Sequence, residues 1–138
     1  MRALFFSTES WRPAGEMIMR CFYIVDAQMQ VTSMSKYCDV IDTIGIIPFS
    51  GPEERMADWK ERKYISWKRR EADIRLRIDF DSFVNASFEV QQEIVNKIII
   101  QSLKVIKSRC DNKKVRFDID ALLQDVFPDK SETVPNSV

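Results

Sequence analysis

The chain has 138 residues, with 21 lysines and arginines against 21 aspartates and glutamates, three cysteines, three glycines and no histidine. That length suits one domain with a core of its own, and the even charge balance lacks the basic excess usual in proteins that grip phosphates. Without histidine, Ser–His and Cys–His nucleophilic pairs, histidine general bases and nearly all ordinary zinc sites are excluded, and Gly15, Gly45 and Gly51 form no phosphate-cradling loop.

In chain order, Met1 to Ser7 reads as a short strand, ended by Thr8, Glu9, Ser10 and Pro13. Ile18, Cys21, Phe22, Val25 and Met29 recur at spacings of three and four, which predicts a helix over about 14–30. The β-branched and aromatic content of residues 21–25 also suits a strand. Thr32 or Ser33 can cap a second helix with Met34, Tyr37, Cys38, Ile41 and Ile44 on one side and Gly45 as its stop. Pro48, Gly51 and Pro52 mark a loop, and Glu53 to Lys60 is polar.

Residues 62–79 alternate as a hairpin. With Arg70-Glu71 as a two-residue turn, Trp67 faces Ile74, Ile65 faces Leu76 and Lys63 faces Ile78 on one side, while Lys68 faces Asp73, Ser66 faces Arg75 and Tyr64 faces Arg77 on the other. Arg-Glu lacks the Gly or Asn such turns favour, which leaves a longer loop with shifted register open.

Phe80 and Phe83 close the strand, and Asn85 or Ser87 can cap a long helix over about 87–109. Its apolar stripe is Val95, Ile98, Ile99, Leu103 and Ile106, with Gln91, Gln92, Asn96, Lys97, Lys104 and Lys107 toward water. Val115 to Phe117 adds a short strand, and Asp118 caps a last helix to about Phe127, with Ile119, Leu122, Leu123 and Val126 inward. The expectation is one α+β domain over residues 1–128, followed by a disordered tail at 129–138. A small antiparallel sheet, the hairpin plus short strands, packs against the long helix and smaller helices.

Three scattered cysteines read as buried thiols in a reducing compartment. No segment has signal-peptide order or the length of a bilayer span, so a cytoplasmic chain with no membrane partner is expected. Asp79 with Asp81, and Asp118 with Asp120, are the spacings from which a divalent-cation or acid–base site could be built. A turn and a helix cap explain them more simply, so no catalysis, metal or cofactor is expected. The basic cluster 60–77 offers Arg and Lys for phosphates with Tyr64 and Trp67 for stacking, the alternative of a small nucleic-acid-binding module. Trp67 alternates onto the apolar face, and Glu61, Glu71 and Asp73 dilute the charge.

Ile44-Gly-Ile-Ile-Pro48, Glu61-Arg-Lys-Tyr-Ile65 leading to Ala72-Asp-Ile-Arg-Leu76 and Ile78-Asp-Phe80, Gln101-Ser-Leu-Lys-Val-Ile106, and Phe117-Asp-Ile119 with Asp125-Val126 form a pattern over about residues 40–127. It resembles bacterial polymorphic-toxin immunity proteins, including those of contact-dependent growth inhibition systems. The resemblance implies a small cytoplasmic protein encoded beside a toxin, without chemistry of its own, whose partner is the cognate toxin's C-terminal domain. Binding would block the toxin's active site or substrate approach, and many such toxins are nucleases. No nucleic acid is then expected as a partner, while an unpaired hairpin edge also suits a homodimer. No binding residues carry over from the resemblance, so exposure and chemistry supply the candidates. Against a nuclease they are Asp118, Asp120 and Asp125, or Glu53, Glu54 and Asp58; against an acidic partner, Tyr64, Lys68, Arg75 and Arg77.

Overall fold

The computed structural model describes residues 3–8, 14–49 and 63–128. The polar segment from Glu53 to Lys60, with its candidates Glu53, Glu54 and Asp58, and the tail at 129–138 lie outside the described residues. Strands β1 (Leu4–Phe6), β2 (Thr43–Phe49), β3 (Lys63–Ser66) and β4 (Glu71–Arg77) form one sheet in the order β1-β2-β4-β3. Helices α1 (Ala14–Gln28), α2 (Phe80–Asn85), α3 (Phe88–Asn112) and α4 (Ile119–Val126) complete the α+β fold.

Register fixes which side chains share a face. Leu4 is opposite Ile44, Ile44 opposite Ala72, and Ile46 opposite Ile74, so these five project to one side. They pack with Ile18 and Phe22 of α1 and with Val95, Ile99, Leu103 and Ile106 of α3 in a single core. Each aliphatic buried there contributes about 1.5–3 kcal/mol. The expected first strand, first helix and α3 stripe are all present.

The second helix is not. Tyr37 N and Cys38 N both donate to Met34 O at 2.9 Å, one turn, after which the chain enters β2. The spacing of Met34, Tyr37, Cys38 and Ile41 thus describes a turn packed on the core, and Ile44 to Phe49 is a strand buried on both faces, whose apolar run carries no period to read. Pro48 is tolerated because it lies past the last paired residue of β1, where Ser7 N to Ile46 O at 3.2 Å and Thr8 Oγ1 to Pro48 O at 3.1 Å continue the contact. Ile44 N points at β1, donating to Ala3 O, so by alternation the missing N–H of Pro48 falls at the end of the ladder, beyond Phe6. The sheet is accordingly mixed: β2 runs parallel to β1 and β4, and only β3 with β4 is antiparallel.

The hairpin register also differs from the two-residue turn. Ile65 pairs with Ala72 and Tyr64 with Asp73, closed by a turn at 67–70. Arg70 takes the left-handed φ of 61° that the turn needs. Its guanidinium is held by Asp42 at 2.7 and 3.1 Å, and its carbonyl accepts from Asp42 N at 2.7 Å. An ion pair from a distant segment thereby fixes a residue that prefers other backbone angles. The displacement is an even number of residues, so Ile65 and Ile74 keep the core side.

Ser87 caps α3 through Val90 N, and the helix runs three residues beyond the expected Arg109. Gln91, expected in water, is buried: its Nε2 donates to Phe83 O at 2.9 Å and its Oε1 accepts from Arg20 at 3.3 Å. Val115 to Phe117 contributes one bridge, Phe117 to Cys38, in place of a strand. Cys21, Cys38 and Cys110 are free and buried.

Candidate partner-binding surfaces

Tyr64, Arg75 and Arg77 do share a face, the side of the sheet away from the helices. Tyr64 is opposite Asp73, Asp73 opposite Gly45 and Gly45 opposite Phe5, with Arg75 opposite Ile47 and Arg77 opposite Phe49 in the next rows. Lys68 leaves this face and projects from the turn. The face is partly packed by its own side chains. A Cβ on Gly45 would stand 2.5 Å from Phe5 Cζ and 2.6 Å from Asp73 Oδ1, and Ile47 and Phe49 are buried. Burial, and then the charge of Glu71, push the Asp73 carboxyl above the usual aspartate range.

The acidic candidates do not act as a set. Asp118 is the N-cap of α4, accepting from Ala121 N at 3.1 Å. Asp125 accepts from the Tyr37 hydroxyl at 2.5 Å and from Lys36 Nζ at 3.0 Å, and these bonds, Tyr37 first, hold its carboxyl below the usual range. Only Asp120 of the three is both exposed and outside such a structural role. Asp79 likewise caps α2, accepting from Asp81 N, Ser82 N and Ser82 Oγ at 3.1, 3.2 and 2.9 Å.

Toward the turn end of the sheet three cations are committed to the fold. Arg70 pairs with Asp42, Arg116 with Asp39 at 2.9 Å, and Lys107 with Asp111 at 2.9 Å. Lys113, at the C-terminus of α3, places its ammonium 6.0 Å from the Trp67 ring and so joins the hairpin turn. Trp67 itself is half-buried against the core.

The surface that sequence reading missed lies on α1. Its inner side carries Ile18, Cys21, Phe22 and Val25, yet Met19, Tyr23, Ile24 and Ala27 form a second stripe on the outer side. Together with Thr8, Gly15, Glu16 and Arg20 they line an open groove of about 700 Å³. Tyr23 is 64 % exposed, and Phe88 and Val90 at the start of α3 are each 44 % exposed. Arg20 joins the two elements, its guanidinium 4.5 Å over the Phe88 ring and bonded to Gln91. The signal was present as apolar residues on both sides of one helix, a pattern that sequence alone reads as deeper burial.

Among the described residues no group of three or more His, Cys, Asp or Glu side chains gathers as a metal site, and no helix is long and apolar enough to cross a membrane. A family model described as Immunity protein 44 matches residues 2–127. The chain belongs to that family. No curated protein and no solved structure matches it. As a bacterial immunity protein it has a cognate toxin as its partner.

The neutral total of this immunity protein conceals a separation of charge along α3. Glu89 and Glu93 are exposed in its first turns, with Asp81 exposed on α2 beside them in sequence, whereas Lys97, Lys104, Arg109, Lys113 and Lys114 follow toward the other end. The arrangement complements the helix dipole. It also leaves the apolar groove next to the acidic end and the hairpin turn next to the basic one.

Proposed function

We propose that this immunity protein binds the C-terminal toxin domain of its cognate partner one to one, in the cytoplasm and without chemistry of its own, and that it blocks the toxin's active site or substrate approach. The observation that carries this reading is the immunity-family match over residues 2–127. The toxin is proposed to be a nuclease. A nuclease offers a basic cleft for phosphates, and an inhibitor that meets such a cleft with carboxylates gains association rate as well as specificity.

This reading requires a large exported protein encoded beside the chain, and the test is co-expression with the C-terminal domain of that neighbour. Restored growth and co-purification of a one-to-one complex are expected, together with suppression of nucleic-acid degradation in a mixture of the purified proteins. Toxicity that persists with the immunity protein abundantly expressed overturns the proposal, as does turnover of a substrate by the isolated chain. Retardation of DNA or RNA by this chain alone, weakening steeply with salt, would replace it with the nucleic-acid-binding reading of the basic hairpin.

A further inference from the structure

We infer that the immunity protein meets its toxin through the outer side of α1 and the first turn of α3, and that the toxin offers there a basic patch around an apolar centre. This rests on the toxin-binding function proposed above and adds to it the surface used and the chemistry of the partner's side.

Three observations carry it. The core is closed without the outer stripe: Ile18, Cys21, Phe22 and Val25 already seat α1, so Tyr23 and Ile24 are surplus to folding, as are Phe88 and Val90 on α3. Tyr23 and Ile24 line the groove, and Phe88 adjoins it through Arg20; large exposed apolar side chains gathered in this way are the usual mark of a protein-binding surface. The junction of α1 and α3 is also held in place. Arg20 is fixed by its stack on Phe88 and its bond to Gln91, so less conformational freedom is lost when a partner arrives, and Tyr and Arg are the side chains most often found carrying binding energy.

The rim decides the partner's charge. Glu89 and Glu93 lie one helical turn apart on exposed positions beside Phe88 and Val90. An acidic surface brought onto this end would be repelled, whereas a basic one finds Glu89 and Glu93 on the first turns of α3 and Glu16 in the lining of the groove. The other candidate surfaces are poorer. Ile47 and Phe49 on the outer sheet face are already buried, and Arg70 and Arg116 at the turn end are engaged by Asp42 and Asp39.

The test measures binding of the purified cognate toxin domain to the full chain at low and at physiological salt. The variants are Tyr23→Ala, the pair Glu89→Lys with Glu93→Lys, and Arg77→Glu and Lys113→Glu as controls, each checked for an unchanged melting transition. Tyr23→Ala is expected to weaken binding by about tenfold or more. The paired charge reversal should slow association by about tenfold at low salt and by less at physiological salt. Both controls should stay within about twofold of wild type. Wild-type affinity in Tyr23→Ala and in the paired reversal overturns the surface while leaving toxin neutralisation standing. Loss confined to the controls does the same and moves the contact to the sheet or the turn. A wild-type chain that does not bind the toxin domain overturns both.

Discussion

The Tyr37 hydroxyl is the polar tip of a side chain only 2 % exposed, and Asp125 is its hydrogen-bond acceptor across 88 residues of sequence. Removing that acceptor strands a buried donor, which costs more than the bond itself contributed. Asp125→Ala is therefore expected to lower stability by about 1–3 kcal/mol in urea unfolding, while Asp120→Ala, exposed on the same helix, should change it by less than about 0.5 kcal/mol. The pH dependence follows from the direction of each shift. Tyr37, and then Lys36, hold the Asp125 carboxyl below its unfolded value, so its contribution is complete above pH of about 4 and is lost as pH falls through the lower folded value. Tyr37 is shifted the other way, upward, by burial and then by Asp125. Its contribution is complete below pH of about 10 and is lost as pH rises through the folded value. Asp125→Asn should flatten the acid limb of stability against pH; an acid limb identical to wild type would refute the role given to this pair.

Among the elements, β2 governs how the sheet is assembled, and Gly45 governs how β2 meets its neighbours. Phe5 from β1 and Asp73 from β4 both close over Gly45, leaving no room for a Cβ. Gly45→Ala should destabilise by about 1–3 kcal/mol, as overpacking does. Adding Phe5→Ala should recover part of that loss, a coupling that a double-mutant cycle in denaturant would read directly; strict additivity would mean that the ring does not set the requirement. The same strand explains what the sequence concealed. Helices α3 and α4 were legible because a 3.6-residue stripe coincides with Ser87 and Asp118 as caps. Strand β2 is buried on both faces, so Ile44 to Phe49 shows neither alternation nor helical period, and the preceding Met34–Ile41 spacing lent it a helix it does not form. The hairpin register depended on Arg70 accepting a left-handed φ under the hold of Asp42, a contact 28 residues away that no local turn rule contains. The candidate surfaces were legible in residue type but not in use. Asp118 and Asp125 are committed to the fold, and the two apolar sides of α1 become an inner and an outer side only once α3 and the sheet are in place.

For the molecule as a whole, α3 is the element on which the others converge: its buried stripe meets β2, β4, α1 and α4. On the binding surface proposed above, folding and partner recognition sit on different sides of α1 and α3, and substitutions on the two sides should fail in different ways. Ile99 is fully buried in the α3 stripe, and Ile99→Ala removes contacts and leaves a cavity worth about 2–5 kcal/mol. Against the roughly 5–15 kcal/mol that holds such a domain together, this is a large fraction, and a fall in Tm on the order of 10 °C is expected. Cellular protection would suffer through a smaller folded population, yet the molecules that do fold should bind the toxin domain with wild-type affinity at a temperature below their transition. Tyr23→Ala should do the reverse, keeping Tm and abundance while losing affinity, because a side chain 64 % exposed has little to contribute to the core. Thermal unfolding and binding measured on the same two preparations separate the cases. Should Ile99→Ala weaken binding per folded molecule as much as Tyr23→Ala does, the inner packing of α3 must shape the groove directly, and the division between a folding side and a binding side would not hold.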